Sequence, residues 1–594
     1  MRVADYVANF IWEKGVDTVF MVTGGGAMFL NDGVAAHSHL KAMCNHHEQA
    51  CAMGAVGYAK YRNGLAVCMT TTGCGSTNTI TGLLDAWQDN VPCLFISGQA
   101  KRKETVRNSG LRLRQFGVQE ADIIAIVESI TKYAIMVNEP NEIAFHLERA
   151  AYLALSGRPG PVWIDVPLDV QGATIDPDAL RHFNSDSEKV FALPTNKLSR
   201  FAELIGKSKR PILVAGNGIR LGNAVCQMRT FIEQYSIPVV QTYLGVDLLP
   251  TDHPLCVGRI GIRGTRAGNF AIQNADLVLS VGSRLCVPST GFEYSLFARE
   301  AKILVVDIDE EEHKKNTVRI DEFMPADAAW FFEHCDLRDW STPQSWPEKC
   351  RHWRKTWPVC TPDTSDDTKG INLFAFVDRL SKTMNDDAVV ISDAGSSYYV
   401  TSQALSIRAN QRYITSGAQA DMGFSLPAAI GVCLARGRKP VIAITGDGSF
   451  QMNIQELQTV VYNNLPIKLF VWNNNGYLSI RTTQTKFFEG RFIGTDEQCG
   501  ISFPEVKKIA DAYGIPYSKA ASLVELDKLL PQALTVEGPV LFEVIAPPDQ
   551  PIIPAVSSGK RADGTMISKP LEDMAPFLDR NEFRREMIVQ PVKE

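Results

Sequence analysis

The chain runs to 594 residues, 45% hydrophobic and 21% charged, which exceeds one hydrophobic core and predicts about three or four units. Its formal charge of -6 is spread over interspersed signs, so no electrostatic footprint for nucleic acid or an anionic membrane is expected. No apolar run is as long as a membrane span, and the leading MRVADYVANFIWEKG lacks the order of a signal peptide, so a soluble, cytoplasmic protein is expected.

Apolar runs with strand character recur at 18–22, 66–70, 92–97, 162–166, 212–215, 277–281, 303–308, 388–391, 441–444, 468–472 and 540–544. Helical periods separate them, a rhythm that predicts an α/β fold of three doubly wound parallel-sheet domains. Polar, proline-bearing stretches at 172–197 and 339–369 read as linkers. The domains then span 1–171, 198–338 and 370–545, with a polar tail at 546–594. The thirteen cysteines show neither a CxxC pair nor His-rich spacing, so no disulfide frame or zinc site is expected.

In the first domain, Thr23-Gly24-Gly25-Gly26-Ala27 follows a strand and offers free N–H groups to a ligand. Asn45-His46-His47-Glu48 then opens a helix rich in small residues, with Gly54, Ala55 and Gly57 as a packing face expected to meet a second subunit. A solvated glutamate that complements the helix dipole is the ordinary alternative for Glu48. Thr72-Gly73-Cys74-Gly75-Ser76-Thr77-Asn78 is a second glycine-rich loop entering a helix. In the middle domain, glycines and backbone amides after strands suit a dinucleotide pyrophosphate, and Asp307 or Asp309 would reach a ribose hydroxyl. Gly216-Asn217-Gly218 is not followed by the GxGxxG pattern of a nicotinamide site.

The third domain holds the most specific signal. VIAIT (441–445) leads into Gly446-Asp447-Gly448-Ser449, and KLFVW (468–472) into Asn473-Asn474. Either turn alone is ordinary. Joined by strand, helix and strand, they place Asp447 and the Asn474 amide oxygen on neighbouring strand ends, where a hard cation such as Mg²⁺ would be held against a diphosphate. That arrangement points to thiamine diphosphate.

The segment resembles the cofactor motif of thiamine diphosphate enzymes, and the resemblance implies Asp447, Asn474 and the carbonyl of Gly476 as metal ligands. The order of the first-domain motifs, with Arg114-Gln115-Phe116-Gly117-Val118-Gln119-Glu120 and Gly157-Arg158-Pro159-Gly160-Pro161, is similar to the pyrimidine-binding domain of the acetohydroxyacid synthase family. Glu48 is then the carboxylate that shifts the aminopyrimidine to the tautomer able to take the thiazolium C2 proton. Gln119, Gly26 and Thr72 position substrate. Cofactor contacts are implied at Thr72 as well, and at Asn78, Ala394, Gly395, Ser396, Ser397, Ala420, Met422, Gly446, Gly448, Ser449, Gly476 and Tyr477, with Met422 forcing the bent cofactor conformation. Gln99 also matches. In the middle domain the resemblance implies FAD, structural rather than redox-active, on Gly216, Gly218, Gly261, Arg263, Gly264, Thr265, Ser283, Arg284, Asp307, Ile308 and Asp327, unless the domain stays empty as in many relatives.

Two acceptor-side residues depart from the family: Thr483 stands in place of a Trp and Pro288 in place of an Arg. The acceptor is therefore expected to be larger or uncharged, with Arg481 as a compensating cation. The tail beyond Gly559 is expected to form a lid. The expectation is a thiamine diphosphate- and Mg²⁺-dependent carboligase of acetolactate synthase type. It would act on a 2-oxo acid, pyruvate foremost, and a carbonyl acceptor, in a homodimer or homotetramer with sites between subunits. A 2-oxo acid decarboxylase, a carboligase for keto-sugars and a non-catalytic cofactor-binding paralogue are the alternatives.

Overall fold

The computed structural model describes residues 1–185, 194–361, 365–560 and 563–592. Three parallel six-stranded sheets follow one another along the chain. The first holds β1 (Thr18–Met21), β2 (Lys41–Cys44), β3 (Ala66–Thr70), β4 (Cys93–Gln99), β5 (Ala134–Met136) and β6 (Val162–Pro167) in the order β2-β1-β3-β4-β6-β5. β3 and β4 are buried at every position, as strands covered by helices on both faces must be.

The middle sheet holds β7 (Pro211–Ala215), β8 (Val239–Gln241), β9 (Cys256–Arg259), β10 (Leu277–Val281), β11 (Lys302–Asp307) and β12 (Glu322–Pro325), ordered β12-β11-β10-β7-β8-β9. This is the dinucleotide-binding order, whose direction reverses between β7 and β10. The third sheet holds β13 (Val389–Ser392), β14 (Arg412–Thr415), β15 (Val441–Gly446), β16 (Ile467–Asn473), β17 (Tyr517–Ala520) and β18 (Val540–Ile545). Its order, β14-β13-β15-β16-β18-β17, repeats that of the first. β15 and β16 pair from Val441–Ile467 to Gly446–Trp472, so Asp447 and Asn474 leave the sheet side by side.

The first and third sheets share one buried core, in which Phe20, Cys68 and Phe95 lie with Ile391, Ala443 and Val471. Helices Glu48–Arg62 and Ser425–Ala435 form its seam. A methyl on Gly57 would lie 2.5 Å from the Ala428 carbonyl oxygen, and one on Gly431 would lie 1.9 Å from that of Gly54. The small-residue face expected to meet a second subunit is thus spent within the chain, because only glycine lets these two backbones approach so closely. Gly431→Ala is expected to destabilise by about 1–3 kcal/mol through overpacking. Calorimetry should show a lower melting midpoint, while Gly206→Ala, where a methyl meets nothing within 4 Å, leaves it unchanged or higher.

The 339–369 stretch carries a helix, Ser345–Thr356, whose Trp346 and Trp353 are buried in the core of the middle sheet. Seven residues apart, the two indoles share one helix face. The tail joins the same core through Leu571, Phe583, Met587 and Val589. Glu572 is held there by Arg299 at 2.8 Å and Gln273 at 2.6 Å, so the tail is anchored on the middle sheet.

Candidate cofactor sites

At the end of β15, Asp447 is buried and accepts backbone N–H bonds from Gly448 at 2.8 Å and Gly476 at 2.9 Å. Burial pushes its carboxyl up to about 6, although the two amides pull the other way. Nearby, Asn474 Oδ1 is buried and has no partner among the described residues. Such an orphaned acceptor costs about 1–3 kcal/mol, so the loop presents an oxygen in need of a donor or a cation.

Gly476 sits at φ +140, where a Cβ would lie 2.1 Å from the Thr495 carbonyl oxygen. The Tyr477 ring covers Gly448, and Gly446 faces open space. Among the described residues no group of three or more His, Cys, Asp or Glu side chains gathers to hold a metal. A donor set of carboxylate, amide and carbonyl oxygens nevertheless suits a hard cation. Arg481 donates to the carbonyls of Asn474, Asn475 and Pro548 at 2.9, 2.8 and 2.7 Å. Its two terminal nitrogens are therefore engaged in bracing the loop, while its Nε is buried with no partner among the described residues. Thr483 likewise spends its hydroxyl on Ser479 O.

Asp393, at the end of β13, is the hub of the adjoining cluster. It accepts from Ser397 Oγ at 2.6 Å, Ala394 N at 2.7 Å, Thr445 Oγ1 at 2.7 Å, Ser449 Oγ at 2.7 Å and Ser425 Oγ at 3.0 Å. Ser396 is buried beside them, and Gly395, at φ +58, takes the turn that an L side chain resists. The Ser397 and Ser449 hydroxyls thus point at Asp393, leaving backbone amides of these turns to face a ligand. The resemblance implied the turn from Asp393 to Ser397, but not that its carboxylate orders the serines. Its one visible signal was an aspartate at a strand end before a glycine. Ser449 Oγ also accepts from Gly423 N at 2.8 Å, which fixes the loop holding Ala420, at φ +54, and half-buried Met422.

The first sheet assembles its own cluster at the ends of β1, β3 and β4. Glu48 Oε2 accepts from Asn78 Nδ2 at 2.8 Å. The Gly26 amide donates to Thr71 Oγ1 at 3.1 Å, and Thr72 Oγ1 donates to Gln99 Oε1 at 2.7 Å. Gln119, at φ +57, brings its carbonyl oxygen so close to Gly73 that a Cβ there would lie 2.2 Å away. Glu48, Gly26, Thr72, Asn78 and Gln119 are therefore brought together. Glu456, fully buried, accepts from Asn45 Nδ2 at 2.8 Å and His46 N at 3.0 Å, so the third domain steadies the loop that delivers Glu48. This bridge spans more than four hundred residues and left no local trace. Gln419 Nε2 reaches Thr81 O at 3.3 Å, a second tie between the two clusters.

A cavity of about 630 Å³ opens where the middle sheet reverses direction. Gly216, Gly218, Ser283, Arg284, Asp307, Ile308 and Asp327 line it. Gly261, Arg263, Gly264 and Thr265 fall outside that lining. Thr265 caps the helix Arg266–Asn274, Gly261 is bonded to Asn269, and Arg263 binds the Ile552 carbonyl. A methyl on Gly264 would lie 2.5 Å from Arg259 O. Arg263 thus meets the tail, as does Gly264 through the Gln403 amide that also donates to Pro554 O.

Comparison with known proteins agrees with this arrangement. Residues 1–126 match the family description "Thiamine pyrophosphate enzyme, N-terminal TPP binding domain", 198–334 its central domain, and 393–544 its C-terminal TPP binding domain. The chain is 30% identical over 580 residues to the acetolactate synthase isozyme 2 large subunit of Escherichia coli, covering 96% of this chain and 100% of that one. It is 31% identical over 595 residues to the acetolactate synthase large subunit of Corynebacterium glutamicum, covering 99% and 93%. Acetolactate synthase 2 of Nicotiana tabacum is 30% identical over 572 residues, covering 94% of this chain and 84% of that protein. Among the described residues no helix is long and apolar enough to cross a membrane.

Proposed function

The chain belongs to the thiamine pyrophosphate enzymes, and from that premise we propose that it is a Mg²⁺-dependent carboligase that decarboxylates pyruvate and joins the two-carbon unit to a carbonyl acceptor. The observation that carries the reading is the orphaned Asn474 Oδ1 beside buried Asp447, combined with Glu48 in the other cluster. Asp447, Asn474 and the Gly476 carbonyl would hold the cation, and the backbone of the 394–397 and 446–449 turns would hold the diphosphate. When bound, thiamine diphosphate supplies the electron sink for decarboxylation. Asn78 fixes Glu48 Oε2 and leaves Oε1 to hold and return a proton at the pyrimidine nitrogen. The Ala420 carbonyl and the Met422 side chain would hold the ring. Gly26, Gln119 and Thr72 orient the 2-oxo acid and keep water from it.

A second copy completes the site in a homodimer or homotetramer, and FAD occupies the middle-domain cavity. If so, the purified protein carries flavin absorption; a colourless protein that binds no added FAD removes that part of the reading. Product analysis tests the rest. Pyruvate alone, and then with candidate ketones, is expected to yield a carbon–carbon-bonded product. Acetaldehyde as the sole product would make the chain a decarboxylase, and no release of CO₂ would make it a non-catalytic paralogue.

A further inference from the structure

Asp165 is a buried carboxyl, 1% exposed, within β6, and no step described so far uses it. No cation pairs with it among the described residues; the nearest charges acting on it are Asp122 and Arg107, which pair with each other at 2.9 Å. Instead it collects two donors. Ser97 Oγ gives its hydrogen to Oδ1 at 2.6 Å, and Gln99 Nε2 donates to Oδ2 at 3.0 Å. Ser97 Oγ in turn accepts from Trp163 Nε1 at 2.8 Å, so its own hydrogen is committed to Asp165.

The Gln99 amide is thereby oriented. Its nitrogen faces two acceptors, Asp165 and Ala121 O at 2.8 Å, and its oxygen faces the Ala100 amide at 2.9 Å. An oxygen so placed can only accept, and the Thr72 hydroxyl, 2.7 Å away, must donate to it. The alternative acceptor for that hydrogen, Gln119 O, is at 3.4 Å and loses on distance. The polarity therefore runs one way from Thr72 through Gln99 to Asp165.

We propose that Asp165 is a positioning residue: acting through Gln99, it fixes the Thr72 hydroxyl hydrogen away from the substrate, so that Thr72 Oγ1 withholds a hydrogen bond from the carboxylate of the bound 2-oxo acid, which itself has no hydrogen to give. An amide at position 165 breaks the chain. Asn offers one oxygen for two donors, so its NH₂ abuts either Ser97 or the Gln99 nitrogen. If Gln99 flips in response, Thr72 becomes the acceptor and turns its hydrogen toward the substrate. Burial, which raises the Asp165 carboxyl to about 7, adds a signature, since protonation below that pH removes one acceptor from the chain.

The inference rests on the carboligase reading for the reaction, but not for the hydrogen bonds, and a double-mutant cycle separates the two. Asp165→Asn, Thr72→Val and the double variant are assayed with pyruvate in the presence of thiamine diphosphate and Mg²⁺, and melted without ligands. Asp165→Asn is expected to lower kcat about 10- to 100-fold, the order of loss that a misplaced group brings, and to displace the acid limb of the pH profile. In the Thr72→Val background it should add nothing to the kcat loss, and the melting shifts should be non-additive. Multiplicative kcat losses, an unmoved pH profile or additive melting shifts would each overturn the proposal. If the wild type releases no CO₂ from pyruvate, the carboligase reading fails, while the melting cycle still decides the chain. Should Asp165→Asn not fold, Gln99→Met removes the link that joins Asp165 to Thr72 and takes its place in both cycles, with the same outcomes.

Discussion

Glu48→Gln is expected to reduce pyruvate turnover by about 10²–10⁴-fold, the span attributed to a positioned acid–base group. The substitution is nearly isosteric, and its carbonyl can still accept the Asn78 Nδ2 hydrogen now held at 2.8 Å. What the amide cannot do is hold and return a proton on the other oxygen. The fold has little reason to change, since Asn78 is the only polar partner of this side chain among the described residues. Thiamine diphosphate affinity, followed by calorimetry, should therefore stay within a few-fold of wild type while CO₂ release collapses. Turnover close to wild type would remove the carboxylate from the mechanism and, with it, the assignment of the first-domain cluster as the pyrimidine side.

The second large effect concerns Asn474. In the unliganded protein, Asn474→Ala abolishes a buried acceptor without a partner among the described residues, a penalty of about 1–3 kcal/mol, against the lost packing of a small side chain. The melting midpoint without ligand should thus be held or raised. Adding thiamine diphosphate and Mg²⁺ should raise the wild-type midpoint, because a ligand present at a hundredfold excess over its dissociation constant contributes about 2.7 kcal/mol. The variant should lose that increment. A variant that melts lower on its own yet gains as much from the ligands would show that Asn474 Oδ1 is not a metal ligand.

Much of this architecture is legible in the residues, and the losses have a common cause. Every apolar run read as a strand is one, from Thr18–Met21 to Val540–Ile545. In the three large sheets the strands that escaped are β2, β5, β8, β9, β12, β14 and β17, of which all but β8 are sheet edges. An edge strand is half exposed, so KAMC in β2 and YSKA in β17 carry lysines and no apolar run, and β8 is only three residues long. The loops at Asp447 and Glu48 were readable because glycine, carboxylate and amide requirements are local. The roles of Asp393, Glu456 and the Asp165–Gln99–Thr72 chain were not, because each depends on partners supplied by another strand or domain. The tail and the 339–369 stretch look polar on average, yet Trp346, Trp353 and Phe583 are buried in the middle core; averaging over a window conceals single anchors.

The seam between helices Glu48–Arg62 and Ser425–Ala435 also bears on how the protein is made. During synthesis the amino-terminal third leaves the ribosome with its glycine-lined helix facing water, and the mate for that face is hundreds of codons away. At roughly 5–20 residues per second, the wait lasts on the order of a minute or less. Throughout it, Met53, Ala55 and Val56, all fully buried at the end, stay uncovered. A nascent chain in that condition is a client for chaperones, and a fragment ending before the last sheet should be sticky and short-lived in the cell, although its own six strands are complete.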